Sequence, residues 1–81
     1  MYEEVNAKIK VAGVYENNLF WPRKFVWNGK LYEIEQITLT SELRDAGVKK
    51  RLYSVLSKGT VYRLLFNRDN ETWFLRALWL D

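Results

Sequence analysis

Arg23-Lys24-Phe25-Val26-Trp27-Asn28-Gly29-Lys30-Leu31-Tyr32-Glu33 is the stretch that decides the architecture of this chain. Asn28 and Gly29 both tolerate the positive φ that a two-residue type I′ hairpin loop requires, so the runs on either side are predicted to pair as strands. Counting outward from the loop sets Trp27 against Lys30, Val26 against Leu31, Phe25 against Tyr32 and Lys24 against Glu33. Ring then faces ring and opposite charges meet, cross-strand contacts worth roughly 0.2–1 kcal/mol each.

On the N-terminal side, Val5, Ala7, Ile9 and Val11 alternate with polar residues, the period of a strand with one face on a core. Gly13 interrupts that alternation, Glu16-Asn17-Asn18 supplies a turn, and Pro22, which has no N–H to give a ladder, belongs at an edge or just before a strand. On the C-terminal side, Tyr32 and Ile34 share one parity while Ile37 and Leu39 share the other, which predicts a β-bulge near Glu35-Gln36. Thr40 to Gly47 reads as one short helical turn near residues 41–46, with Thr40 or Ser41 as its N-cap and Gly47 in the left-handed C-terminal position.

Arg51–Ser57, Thr60–Asn67 and Thr72–Leu80 form a three-strand meander joined at Lys58-Gly59 and Arg68–Glu71. Two-residue loops at Lys58-Gly59 and Asp69-Asn70 gather Tyr53, Val55, Tyr62, Leu64, Phe66, Trp73, Leu75, Ala77 and Trp79 on a core face. They leave Leu52, Ser54, Leu56, Val61, Arg63, Leu65, Phe74, Arg76, Leu78 and Leu80 on the other, a face too apolar for an ordinary wet surface. The expected fold is all-β, a small antiparallel meander forming an SH3-like barrel of about six strands, with residues 1–81 as a single domain.

Cysteine and histidine are both absent, which removes thiolate chemistry, the usual metal ligands and the commonest general base. Glu33 and Glu35 share a strand face, but Lys24 opposite Glu33 accounts for one of them and no second catalytic group supports an acid/base pair. The expectation is a protein that is not an enzyme and takes no metal or cofactor. Acidic residues follow Met1 where a secretory signal is basic, and no apolar run reaches the roughly 18 residues of a membrane span, so a cytoplasmic setting without membrane contact is expected. Charge is uneven: residues 1–48 carry six Lys and Arg against seven Asp and Glu, and residues 49–81 carry seven against three. Any electrostatic function belongs to the second part.

In the meander register, Ser54, Arg63 and Arg76 fall in one row across three strands, beside Leu52, Leu65 and Phe74. Two arginines directly opposite each other repel unless something negative joins them. Guanidinium groups beside an exposed phenyl ring suit single-stranded nucleic acid, with cations on phosphates and the ring under a base. The other reading is that Glu71, Glu33, Glu35 or Asp81 pairs with the arginines and that the N-terminal strand or a second subunit covers Phe74. Lys49-Lys50-Arg51, the densest basic run, adds phosphate contacts at a strand entrance or serves only as a solvated end. Trp73 and Trp79 are expected in the core, while Trp21 and Trp27 flank a proline and a hairpin tip where rings remain partly exposed.

Trp21 to Ile34 resembles the opening hairpin of a small uncharacterised bacterial β-domain family, a domain of unknown function with the pattern Pro-x-x-Phe-x-Trp-x-Gly-Arg-x-Tyr-x-Val. Tyr62-Arg63-Leu64, Asp69, Trp73-Phe74-Leu75, Arg76, Leu78 and Asp81 are similar in order to the second part of that family, and together the matches span about three-quarters of the chain. Lys30 stands where the family has Arg, and the family's Asp-x-x-Trp has no counterpart at Thr38–Glu42. Some members are joined to translesion-type DNA polymerases, so the resemblance implies a DNA-related setting and no catalytic residues. The expected function is a non-enzymatic module that binds nucleic acid through Arg63, Arg76, Phe74 and Ser54 with Lys49, Lys50 and Arg51 at the margin. The alternative is a protein-interaction or homodimerisation domain that uses the same apolar face.

Overall fold

The computed structural model describes all 81 residues and holds seven strands. They are β1 (Tyr2–Glu16), β2 (Leu19–Trp27), β3 (Lys30–Glu33), β4 (Gln36–Asp45), β5 (Val48–Ser57), β6 (Thr60–Asn67) and β7 (Thr72–Trp79). All pair antiparallel in one sheet of order β3-β2-β1-β7-β6-β5-β4. No helix is present that is long and apolar enough to cross a membrane. Loop chemistry sets the hairpins: Asn28 and Gly29 take φ of 53° and 74°, and the β2–β3 register runs from Trp27↔Lys30 to Lys24↔Glu33 as derived above. Lys58 and Gly59 do the same for β5 and β6, pairing Ser57 with Thr60 and Tyr53 with Leu64.

Inward side chains from distant strands meet in one cluster, so the sheet curls upon itself. Ile9 of β1, Phe25 of β2, Tyr53 and Val55 of β5, Tyr62 and Leu64 of β6 and Leu75 of β7 form its buried centre. Phe25 stacks on Tyr32 at 4.9 Å and meets Tyr62 edge-on at 5.4 Å. Trp73 joins Phe66, Tyr53 and Phe20 at one end. Gly13 is needed where β1 crosses β2, because a Cβ there would lie 2.2 Å from the Trp21 carbonyl oxygen. Pro22 sits opposite Gly13 at the register shift in the β1–β2 ladder, a bulge position at which a residue without an N–H is tolerated.

Three expectations are corrected here. Residues 41–46 form no helical turn: Gln36–Asp45 is a strand along β5, closed by a hairpin loop with Ala46 at φ 51° and Gly47 at φ 82°. An isolated turn of helix lacks a partner to offset its nucleation cost, whereas the extended segment gains a whole ladder. The strand count is seven rather than six because the run from Lys30 to Leu39 breaks at Ile34-Glu35 into β3 and the start of β4. The parity change after Tyr32 is real, but it arises from a break at Ile34-Glu35 and a bulge at Thr38, whose hydroxyl donates to the Ser54 carbonyl.

The sheet does not close into a barrel. Its edges, β3 and β4, do not pair with each other, although only Ile34 and Glu35 separate them in the chain. Ile34 N–H donates to the Arg23 carbonyl and Glu35 N–H to the Leu56 carbonyl, each at 2.8 Å. That link draws the edges together at one end. Away from it, β4 and the first half of β2 diverge and leave an open mouth.

Candidate nucleic-acid interface

The outer face of β5, β6 and β7 departs from the expected one at a single residue. Register runs as derived from Asn67↔Thr72 to Leu64↔Leu75, then slips, so that Arg63 lies opposite Ala77 and Arg76 is the extra residue. On the other flank of β7, Val5 and Asn6 bulge out of β1 at the same level, with Asn6 at φ 55°. The two guanidinium groups are therefore not lateral partners. Side-chain parity beyond the bulge also inverts: Leu78 packs on the core while Trp79, expected inside, stands outside and 42% exposed.

Arg63 is held by its own molecule. Its guanidinium lies over the Tyr2 ring at 3.7 Å from the centroid, and Tyr2 in turn meets Trp79 edge-on at 5.0 Å. Arg63 Nε is buried without a hydrogen-bond partner, which makes this a packed cation rather than an open one. Ser54 is buried next to it. Arg76 is exposed, and the row Leu52–Leu65–Phe74 does form, with Leu65 buried and Lys8 of β1 continuing the row beyond Phe74. All seven strands belong to one sheet, and no second sheet lies over this wall.

A lateral row of like charges exists elsewhere, at the mouth. Arg44 of β4 lies directly opposite Lys49 of β5. The Arg68 N–H donates to the Lys49 carbonyl at 3.1 Å, which extends the β5–β6 register by one residue and brings Arg68 alongside. Arg44, Lys49 and Arg68 thus form one row across three neighbouring strands. Neither Arg44 nor Lys49 has a carboxylate within 4 Å. Of the expected basic run, Lys50 is tied to Asp45 at 3.0 Å and Arg51 to Glu42, leaving Lys49 as its free member.

One step towards the core, Glu42, Arg51, Phe66 and Trp73 form the next row. Glu42 Oε1 accepts from both Arg51 and Arg68, the latter at 3.2 Å. The Arg51 hydrogen bond, then the charges of Arg51, Arg68 and Lys49, hold this carboxyl below its usual range against a smaller opposing effect of burial. Arg51 is pushed up in turn, first by Glu42 and then by Tyr53. Beside this row runs a groove of about 180 Å³, with Leu19, Phe20 and Trp21 along one side, Thr40, Ser41 and Glu42 along the other, and Arg51 and Tyr53 between them. The Tyr53 hydroxyl donates to the Phe20 carbonyl at 2.7 Å and ties the two sides together.

Sequence reasoning missed Arg44, Arg68 and the Leu19–Trp21 wall. Arg68 was within reach, since the register that pairs Ser57 with Thr60 also pairs Lys49 with Arg68 when carried to its end. Arg44 was concealed by the helical reading of its segment. No family model, no curated protein and no solved structure matches this chain.

Proposed function

We propose that this chain is a non-enzymatic binding module for single-stranded nucleic acid, and that it engages the phosphate backbone at the mouth of the curled sheet. The observation that carries the reading is the row Arg44–Lys49–Arg68. Like charges directly opposite destabilise a ladder, and an anionic polymer with regularly spaced charges relieves that repulsion at several points at once. Lys50 and Arg51 are held by Asp45 and Glu42, and Arg68 shares Glu42, so Arg44 and Lys49 are the unpaired charges of the row, and Asp69 and Glu71 on the next turn form no ion pair with it. The family resemblance read from the sequence implies a DNA-related setting. In the same reading the curled sheet is an SH3-like barrel left open between β4 and the first half of β2, with the binding surface at the opening.

A second reading, self-association through the outer wall, draws support from Leu52 and Phe74, which stay partly exposed. Lys8 and Arg76 on the same wall oppose it, because an apolar contact there would take their charges out of water.

The test is a titration of a fluorescein-labelled single-stranded 12-mer at two salt concentrations, beside light scattering of the free protein. With three phosphates neutralised, log affinity should fall with log salt at a slope of about −2. Absence of salt-sensitive binding would remove the nucleic-acid reading, and a stable dimer whose affinity holds or tightens with salt would install the second.

A further inference from the structure

The groove beside the cation row is shaped for something other than a phosphate. Its long sides differ in chemistry: Leu19, Phe20 and Trp21 offer apolar and aromatic surface, while Thr40, Ser41 and Glu42 offer hydroxyls and a carboxylate. A volume of about 180 Å³ has room for one flat heterocycle and too little for a base pair. Glu42 and Arg51 line the groove and form the row next to the cations, with Glu42 bonded to Arg68 of the cation row, so a chain with phosphates on that row would bring a base to the groove.

Glu42 is the group that can read such a base. Its Oε1 is saturated by Arg51 and Arg68, whereas Oε2 accepts no hydrogen bond. The side chain is 60% exposed, so Oε2 is reachable. A carboxylate oxygen fixed in this way accepts from an exocyclic amino group and repels a carbonyl. Resting on the single-strand reading above, we infer that the groove receives one unstacked base against Trp21 and that Glu42 selects bases bearing an exocyclic amino group over those presenting a carbonyl there.

Cytosine and uracil test this, because they are nearly isosteric and differ at that position. With labelled (dC)8 and (dU)8 at one low salt concentration, the protein should bind (dC)8 about tenfold tighter, the scale of one hydrogen bond to a charged group. Glu42→Gln provides the decisive variant. Its amide oxygen can still accept from Arg51, which leaves the NH2 to donate to the uracil carbonyl, so the preference should invert. A role for Glu42 in stability alone would weaken both ligands together. Trp21→Ala should weaken both by several-fold while the cytosine preference persists. Equal affinity for the two oligonucleotides, or an unchanged preference in Glu42→Gln, overturns the base-reading inference and leaves phosphate binding standing. If neither oligonucleotide binds, the single-strand reading fails and this inference fails with it.

Discussion

The β6–β7 hairpin and the β4–β5 hairpin face the same problem and solve it in opposite ways. In β6–β7 a regular register would set Arg63 against Arg76, and one extra residue in β7 separates them and gives Arg63 an alanine neighbour. In β4–β5 the register stays regular through the hairpin end, and Arg44 remains opposite Lys49 with Arg68 alongside. Bulges relieve like-charge contacts easily, so a row that is kept in register at an exposed end invites a functional explanation, whereas the bulged pair does not. Local repulsion is present in both sequences, but only one fold retains it.

The largest effect should come from the position where the bulged hairpin leaves its regular register. Leu64 and Leu75 are the last in-register pair before the slip and both are fully buried. Leu64→Ala should lose about 2–5 kcal/mol in urea unfolding, while Phe74→Ala on the bare outer wall should lose about 1 kcal/mol. Equal losses would mean that something covers the wall. Next in size is binding. Lys49→Thr keeps strand propensity and removes the central charge of the row, so oligonucleotide affinity should drop about tenfold and the salt slope flatten by about 0.7, one single-strand phosphate. Arg76→Thr should leave both unchanged. If Arg76→Thr is the more damaging variant, the binding surface is the wall and the mouth is only charged.

The same two variants separate the hairpins by stability, on a smaller scale. Removing Lys49 relieves its repulsion with Arg44, so Lys49→Thr should gain about 0.2–1 kcal/mol at low salt, and the gain should fade as salt rises. Arg76 has no cation opposite it, so Arg76→Thr should show no such gain. A variant that folds more tightly and binds less well is the signature of a charge kept for a ligand. Loss of stability in Lys49→Thr would instead make the row part of the fold's own support.

What was legible in the sequence follows how local its cause is. Asn28-Gly29 and Lys58-Gly59 carry their hairpins in two residues each, and their registers extend correctly to Lys24↔Glu33 and Lys50↔Asn67. The Ala46-Gly47 loop gives no such signal, because alanine is strained at positive φ and tertiary pairing must hold it there. Thr40, Ser41 and Glu42 cap a helix as readily as they line an exposed edge, and only the ladder with β5 decides between them. The Arg76 bulge depends on Val5 and Asn6, which lie at the other end of the chain and reach β7 only after folding. The basic run Lys49–Arg51 was visible as composition, but its meaning rests on lateral neighbours: Asp45 and Glu42 neutralise two of its members, and Arg44 and Arg68 flank the third.

The smallest effect distinguishes the mouth by pH. Because Arg51 and the surrounding cations depress the Glu42 carboxyl in the folded state, the unfolded chain takes up this proton first as pH falls. The contribution of Glu42 is therefore complete above the unfolded carboxylate value and is lost as pH drops through the lower folded value. The stability difference between the parent chain and Glu42→Gln should stay level from about pH 6 to 8 and shrink only in the acid range. Solvent screens so exposed a pair, so the difference should be modest and should fall further with added salt. A bound polyanion acts on this carboxylate in the same direction as salt. An abasic oligonucleotide, whose phosphates sit on the row with no base to donate to Oε2, should offset the pull of Arg68 and Lys49, which are smaller causes than Arg51, and move the titration slightly back towards the ordinary range. A Glu42 titration, followed by carboxyl NMR, that stays fixed on adding oligonucleotide would place the bound strand away from Arg44, Lys49 and Arg68.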